Sequence, residues 1–250
     1  MSRKLFFLLC VVSGIVLFIA QDFPKHSEAS KRSPQGEFTL VRLIYPGGDS
    51  LNNWATDHPK ADEQLVLGLR RVTGLDYVNP EPKAIHISDP ELFEYPFAYA
   101  VEVSQMQLSD SEARTLREYL LRGGFLAVDD FHGDQEWGRF AAEMKEVFPE
   151  YEPVDLPLSH PIFNCFYDID NLIQIPGLQY LYTGSVSEKG GTAPHYRGII
   201  GPGGRIMVMI THNSDLGDAW EWADMPSYSS VYATRAYQLA TNYVIYSMTH

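Results

Sequence analysis

The sequence predicts an α/β fold, a three-layer sandwich with a mostly parallel sheet and helices on both faces. Three observations carry this. Strand-like and helix-like patterns alternate from Phe38 onward. FLAVDD, residues 125–130, is apolar at consecutive positions, as a strand covered on both faces must be. Ser109-Asp110-Ser111-Glu112 places a glutamate three residues after a serine at the head of an apolar-striped segment, the reciprocal capping pattern of a helix start. Units of this kind cross over right-handedly and stack helices on both sides of the sheet.

Taken in order, FTLVRLIY (residues 38–45) is a β-rich run closed by Pro46, Gly47 and Gly48. A helix is expected from about Lys60, with Ala61, Leu65, Leu69 and Val72 at helical spacing. Short strands follow at 84–87 and 97–103. The capped helix from Ser109 carries Ala113, Leu116 and Leu120 and stops at Gly123-Gly124. After the 125–130 strand, a helix from about Glu136 aligns Trp137, Phe140, Ala141, Met144 and Val147. Strands are expected around 151–155 and 178–186, then a glycine-rich region over 190–204 broken by a short run at 196–200. RIMVMITH (205–212) reads as a buried strand, and a last helix from about Ser229 carries Tyr232, Ala236, Leu239, Tyr243 and Tyr246. Asp62, Glu63, Glu143 and Glu146 read as solvated helix faces. With no internal repeat, residues 38–250 form a single α/β domain on this reading.

Composition narrows the function. The chain has 250 residues, 45% of them hydrophobic, enough for a sizeable core. Its 32 acidic residues outnumber 19 basic ones, for a formal charge of -13, which argues against nucleic acid as a partner because phosphate binding needs a concentrated basic face. Two cysteines, Cys10 and Cys165, are too few for a disulfide scaffold, a cysteine-rich zinc site or an iron-sulfur cluster. Arg3 and Lys4 precede an uncharged apolar stretch over residues 5–20, the pattern of a signal peptide or a membrane anchor. The domain is therefore expected outside the cytoplasm, periplasmic, secreted or tethered. Residues 21–37 are polar with two prolines and read as a flexible linker.

In parallel sheets, ligands bind beyond the carboxyl ends of the strands. The 125–130 strand ends in Asp129-Asp130-Phe131-His132-Gly133-Asp134, and the 205–212 strand runs through His212 and Asp215 to Asp218, Trp220 and Glu221. Two polar strand ends should share one rim. Three readings stay open there. His132, His212 and Asp215, with Asp129 or Asp130, offer ligands for a divalent metal such as Zn, Mn or Fe, although no HExxH-like spacing supports one. Asp130 and His132 could form a catalytic acid-base pair. Or the same residues cap helices and hold a polar small molecule. His160, before Pro161, enters the rim or forms a turn. His195, in GGTAPHYRG, covers the site or faces solvent. Asp57 and His58 lie in the loop after the first strand, on the functional edge, or cap the next helix. Trp220 and Trp222 wall a ligand site or pack against the domain. No GxSxG, Walker or GxGxxG motif occurs, so no cofactor is predicted.

The segments RLIYPGGDSLNNWATDHP, DPELFEYPFAYAVEV, LSDSEARTLREYLLRGGFLAVDDFHG, SHPIF and HNSDLGDAWEW, with a closing NYVIYSM, make residues 38–250 resemble the bacterial domain-of-unknown-function family numbered 4159. That family is similar in turn to the class I glutamine amidotransferase-like superfamily, near its ThuA-like trehalose-utilisation branch. The resemblance implies a flavodoxin-like sandwich whose strand-to-helix turn presents a nucleophilic cysteine in true amidotransferases. Here that turn offers Asp129 and Asp130, while Cys165 sits in an aromatic segment, so glutaminase activity is not expected. The family's association with MoxR-type ATPases and von Willebrand factor A-type proteins implies an envelope complex as partner. The expectation is a non-glutaminase module binding a polar ligand or an envelope partner at the rim. The alternative is a hydrolase or lyase of a carbohydrate-like substrate using Asp130 and His132, with or without a metal. A third option is a scaffold that binds no ligand.

Overall fold

The computed structural model describes residues 38–49, 53–73 and 77–250; the expected signal or anchor and linker lie outside the described residues. Among the described residues no helix is long and apolar enough to cross a membrane. In chain order the elements are β1 (Val41–Ile44), α1 (Lys60–Thr73), β2 (Lys83–His86), β3 (Phe97–Val101), α2 (Asp110–Leu121), β4 (Phe125–Asp129), α3 (Gly133–Val147), β5 (Pro153–Asp155), α4 (Tyr180–Thr183), β6 (His195–Ile200), β7 (Ile206–His212), α5 (Leu216–Glu221) and α6 (Ser230–Thr249). Seven strands form one sheet in the order β2-β1-β3-β4-β7-β6-β5. The first five in that order are mutually parallel, and β6 and β5 add antiparallel at one edge.

Strand alternation sends successive side chains to opposite faces, so each face has its own core. On one, Phe97, Tyr99, Phe125 and Ala127 pack with Leu65 and Leu69 of α1 and with Ala236, Leu239 and Tyr243 of α6. On the other, Ala98, Ala100, Leu126 and Val128 pack with Leu116 and Leu120 of α2 and with Phe140 and Met144 of α3. Both sets of helices read as amphipathic because each buries one stripe. The expected capping box forms: the Ser109 hydroxyl accepts from the Glu112 amide while the Glu112 carboxylate accepts from the Ser109 amide at 2.9 Å. As expected, β4 lies between two parallel neighbours.

Four local expectations change. Asp62 is not on a solvated face: it is fully buried against Arg42, with contacts of 3.0–3.2 Å from Nη2 and Nε. An arginine inside an apolar strand needs a partner, and the helix packed over it supplies one. Residues 178–186 form no strand but the helical turn α4, ended by Gly184 in left-handed conformation; no residue of the turn is fully buried and Tyr182 lies exposed. Third, α3 starts at Gly133 instead of near Glu136. A Cβ at Gly133, where φ is +71°, would come within 2.2 Å of the Lys189 carbonyl, so this close turn requires glycine. The fourth change is the short helix α5, which follows β7 at a polar strand end where no helix was expected.

Candidate functional site

Parallel pairing brings the carboxyl ends of β4 and β7 out side by side, and backbone bonds tie their turns together. The Asp130 amide donates to the Ser214 carbonyl and the Asn213 amide to the Phe131 carbonyl, both at 3.0 Å. The Gly133 amide donates to Asn213 Oδ1 at 2.8 Å, and Asn213 Nδ2 donates to the Ala193 carbonyl at 2.7 Å. Backbone strain collects at this edge. Among the described residues, the non-glycine positions with left-handed φ are Asp57 (62°), Glu102 (48°), Asp130 (52°), Lys189 (46°) and Asn213 (62°). Glu102, Asp130 and Asn213 follow directly after β3, β4 and β7. Asp57 precedes α1, and Lys189 reaches the same rim through its ion pairs. All five are polar or charged.

The rim is crowded with carboxylates. Oxygens of Asp57, Asp130 and Asp215 lie within 4.8 Å of one another, as do those of Asp57, Asp218 and Glu221. Asp215 caps α5 through Oδ1, which accepts from the Asp218 amide at 2.7 Å. Asp218 in turn accepts from Leu178 N at 2.5 Å and Trp222 Nε1 at 2.9 Å. Burial, and then the charge of Asp130, push the Asp57 and Asp215 carboxyls well above the usual carboxylate range. Asp218 is raised by burial against the opposing Leu178 hydrogen bond. Asp129, whose Oδ2 accepts from Leu216 N, is pushed up to about 7, chiefly by burial. Glu102 is pushed up to about 8 by burial and by Asp130, with Lys189 opposing.

His132 and Asp130 meet at 3.3 Å through Nε2 and Oδ1, and Glu188 stands 3.8 Å from the same nitrogen. Burial disfavours the imidazolium, but the hydrogen bond and charge of Asp130 outweigh it and raise the His132 pKa. The His132 amide donates to Glu136, and Lys189 bridges Glu136 at 2.8 Å and Glu102 at 3.9 Å. The donor set around Asp57, Asp130 and Asp215 is oxygen throughout, which suits hard cations and polyhydroxylated or hydrogen-bonding ligands better than soft metals.

Of the residues expected at the rim, the structure brings together Asp129, Asp130, His132 and Asp215. His212 lies apart, between the Phe131 and Trp137 rings at 4.9 and 5.3 Å and stacked on His195 at 5.6 Å. Burial lowers His212 to about 4 and also lowers His195. The carboxylate group thus contains Asp57 where the sequence suggested histidines. Trp220 is buried against Tyr99 at 5.1 Å and walls no open site. His160 sits at the opposite end of the sheet: its ring lies 5.9 Å from Tyr246, whose hydroxyl accepts from Ile206 N at the start of β7. It forms the His-Pro turn, its Nδ1 accepting from Ile162 N at 3.2 Å. Cys165 donates to the Asn242 carbonyl at 3.2 Å, and burial raises its thiol. Sequence reasoning missed Glu102, Glu136, Glu188 and Lys189. Glu102 had a readable signal, an acid directly after the apolar run AYAV, the same strand-then-acid pattern as Asp129 and Asp130.

Comparison with curated proteins found no match. The sequence model of the family described as Domain of unknown function (DUF4159) matches residues 39–248, a span that takes in every strand and every rim residue, and the chain belongs to that family.

Proposed function

We propose that this chain is an exported, non-glutaminase member of the class I glutamine amidotransferase-like superfamily, near its ThuA-like branch, that binds a polar ligand at the carboxyl rim of a flavodoxin-like three-layer sandwich. The observation that carries the reading is the gathering of left-handed Asp57, Glu102, Asp130, Lys189 and Asn213 at one edge. Each such residue costs on the order of 1 kcal/mol or more, and glycine would relieve it. Polar side chains kept there at that expense point to recognition. The sheet order supports the binding place, since β1 is flanked by β2 and β3 and the chain reverses its direction of growth there. Asp130 on the strand-to-helix turn and the half-buried position of Cys165 elsewhere support the absence of a glutaminase step. The rim's acidity favours neutral polyols or cations over phosphates. Residues 1–20 support export, and the family resemblance alone supports an envelope complex containing MoxR-type and von Willebrand factor A-type proteins.

A thermal-shift screen of sugars, polyols and other neutral polar molecules on wild type and Asp130→Asn tests this. The expected result is a compound that raises Tm by several degrees in wild type and not in the variant. A response equal in both proteins, or none across the panel, overturns the rim as a ligand site.

The 3.3 Å contact of Asp130 with His132 favours a second reading, a hydrolase or lyase of a carbohydrate-like substrate with these two as acid-base pair. Asp130 is 7% and His132 1% exposed, so the strap bearing Glu188 and Lys189 would have to move for substrate to reach them.

A further inference from the structure

We propose that Asp57, Asp130 and Asp215 together bind one hard divalent cation of the Mg2+, Ca2+ or Mn2+ class. The proposal deepens the rim reading above by naming an inorganic ligand for it, and its test uses the metal alone.

Three features of the carboxylates agree with a single ion. Their oxygens lie within 4.8 Å of one another, and two oxygens on opposite sides of a Mg2+ or Ca2+ ion stand about 4–5 Å apart. They come from three separate segments, the head of α1, the turn after β4 and the cap of α5, so the folded sheet edge assembles them. Their negative charge is poorly matched by protein cations. Among the described residues no lysine or arginine forms an ion pair with any of the three, and only His132 touches one of them. Arg42 is committed to Asp62, and Lys189 to Glu136 and Glu102.

An independent observation comes from Tyr99 on β3. Its hydroxyl is buried, with Tyr99 only 1% exposed, and its side-chain partner is the Asp129 carboxylate. It faces the same small gap as Asp57 and Asp215. A Cβ on Gly217 would come within 2.6 Å of Asp57 Oδ2, 3.1 Å of the Tyr99 hydroxyl and 3.5 Å of Asp215 Oδ1. Three oxygens from three elements therefore converge where residue 217 has no side chain. Asp57 Oδ2 is likewise buried with no hydrogen-bond partner. A buried carboxylate oxygen without a donor is expensive unless something positive meets it. A cation in this gap would satisfy Asp57 Oδ2, and the Tyr99 hydroxyl would serve as a neutral ligand or as a partner for a metal-bound water. The all-oxygen set, with no thiolate and no imidazole among the three, selects hard ions over zinc.

Full-length protein stripped with chelator and titrated calorimetrically with MgCl2, CaCl2 or MnCl2 tests the site. Wild type should bind one ion per chain and gain several degrees in Tm. Asp57→Asn, which keeps the shape and removes a charge, should bind at least about tenfold more weakly, as should Gly217→Ala, whose methyl group enters the gap. If Gly217→Ala fails to fold, Asp57→Asn decides alone. Absence of saturable binding by wild type up to about 10 mM, or equal affinity in wild type and Asp57→Asn, overturns the proposal. A polar compound that binds the rim of chelator-treated protein while no metal does would sink the cation and leave the rim reading standing.

Discussion

Asp57 and Asp62 stand five residues apart at the head of α1 and meet opposite surroundings. Asp62 receives Arg42 through two nitrogens and His58 Nδ1 at 2.9 Å. Burial alone would raise its pKa, yet the charge of Arg42 and the hydrogen bonds from His58 and Arg42 hold it below the ordinary value. Asp57 faces Asp130, Asp215 and Asp218 and is held well above that value. The fold supplies a counter-charge where the carboxylate fastens a helix to a strand and withholds one where carboxylates from several strand ends meet. The first arrangement serves stability; the second leaves a charge deficit for a ligand to fill.

That contrast can be broken most forcefully on its balanced side. Asp62→Ala leaves the Arg42 guanidinium buried without its partner and should cost about 3–5 kcal/mol, read as a shift of the urea midpoint. A loss under about 1 kcal/mol would mean that Arg42 finds another acceptor and that the pair is not what fastens α1.

The unbalanced side should show itself in pH dependence. In the folded chain Glu102 is held up to about 8 and Asp129 to about 7, both mainly by burial, whereas unfolded carboxyls titrate near 4. Between pH 6.5 and 8 the folded state keeps protons that the unfolded state has already released, so stability falls as pH rises. The raised His132 acts in the same direction. His212, at about 4 when folded, acts in the opposite sense, but only below its unfolded value near 6.5. Metal-free protein should thus lose several degrees of Tm from pH 6.5 to 8. A flat or rising Tm across that window would show that the rim acids are already ionised in the folded state.

The smallest expected effect sharpens the comparison by its sign. Asp215→Asn keeps the oxygen that caps α5 and removes an ionisable group from among other acids, so it should change stability by less than about 1 kcal/mol, toward greater stability. Marked destabilisation in equilibrium unfolding would assign Asp215 a role like that of Asp62.

The same contrast explains what could be read from the sequence. β4, β7 and the Ser109 cap were legible because each declares itself locally, by an apolar run or by a residue spacing. The rim acids on β4 and β7 were legible for the same reason. Asp62 was misread because its partner Arg42 lies twenty residues earlier in a strand, and helical spacing alone assigns an acid in the first turn to solvent. Asp57 was placed on the right edge but without its company, since its neighbours Asp130 and Asp215 are fixed only by the order of the sheet. The segment over residues 178–186 failed for want of tertiary information: apolar and aromatic residues in sequence do not reveal that none of α4 is fully buried and that Tyr182 faces solvent.

The left-handed positions at the rim also bear on how this protein would respond to selection. A screen rewarding heat resistance alone should enrich glycine at Glu102, Asp130 and Lys189, where relief of backbone strain is worth about 1 kcal/mol each. Those replacements would erase the side chains that line the edge, so a laboratory lineage bred for robustness would drift toward a sturdier but emptier scaffold.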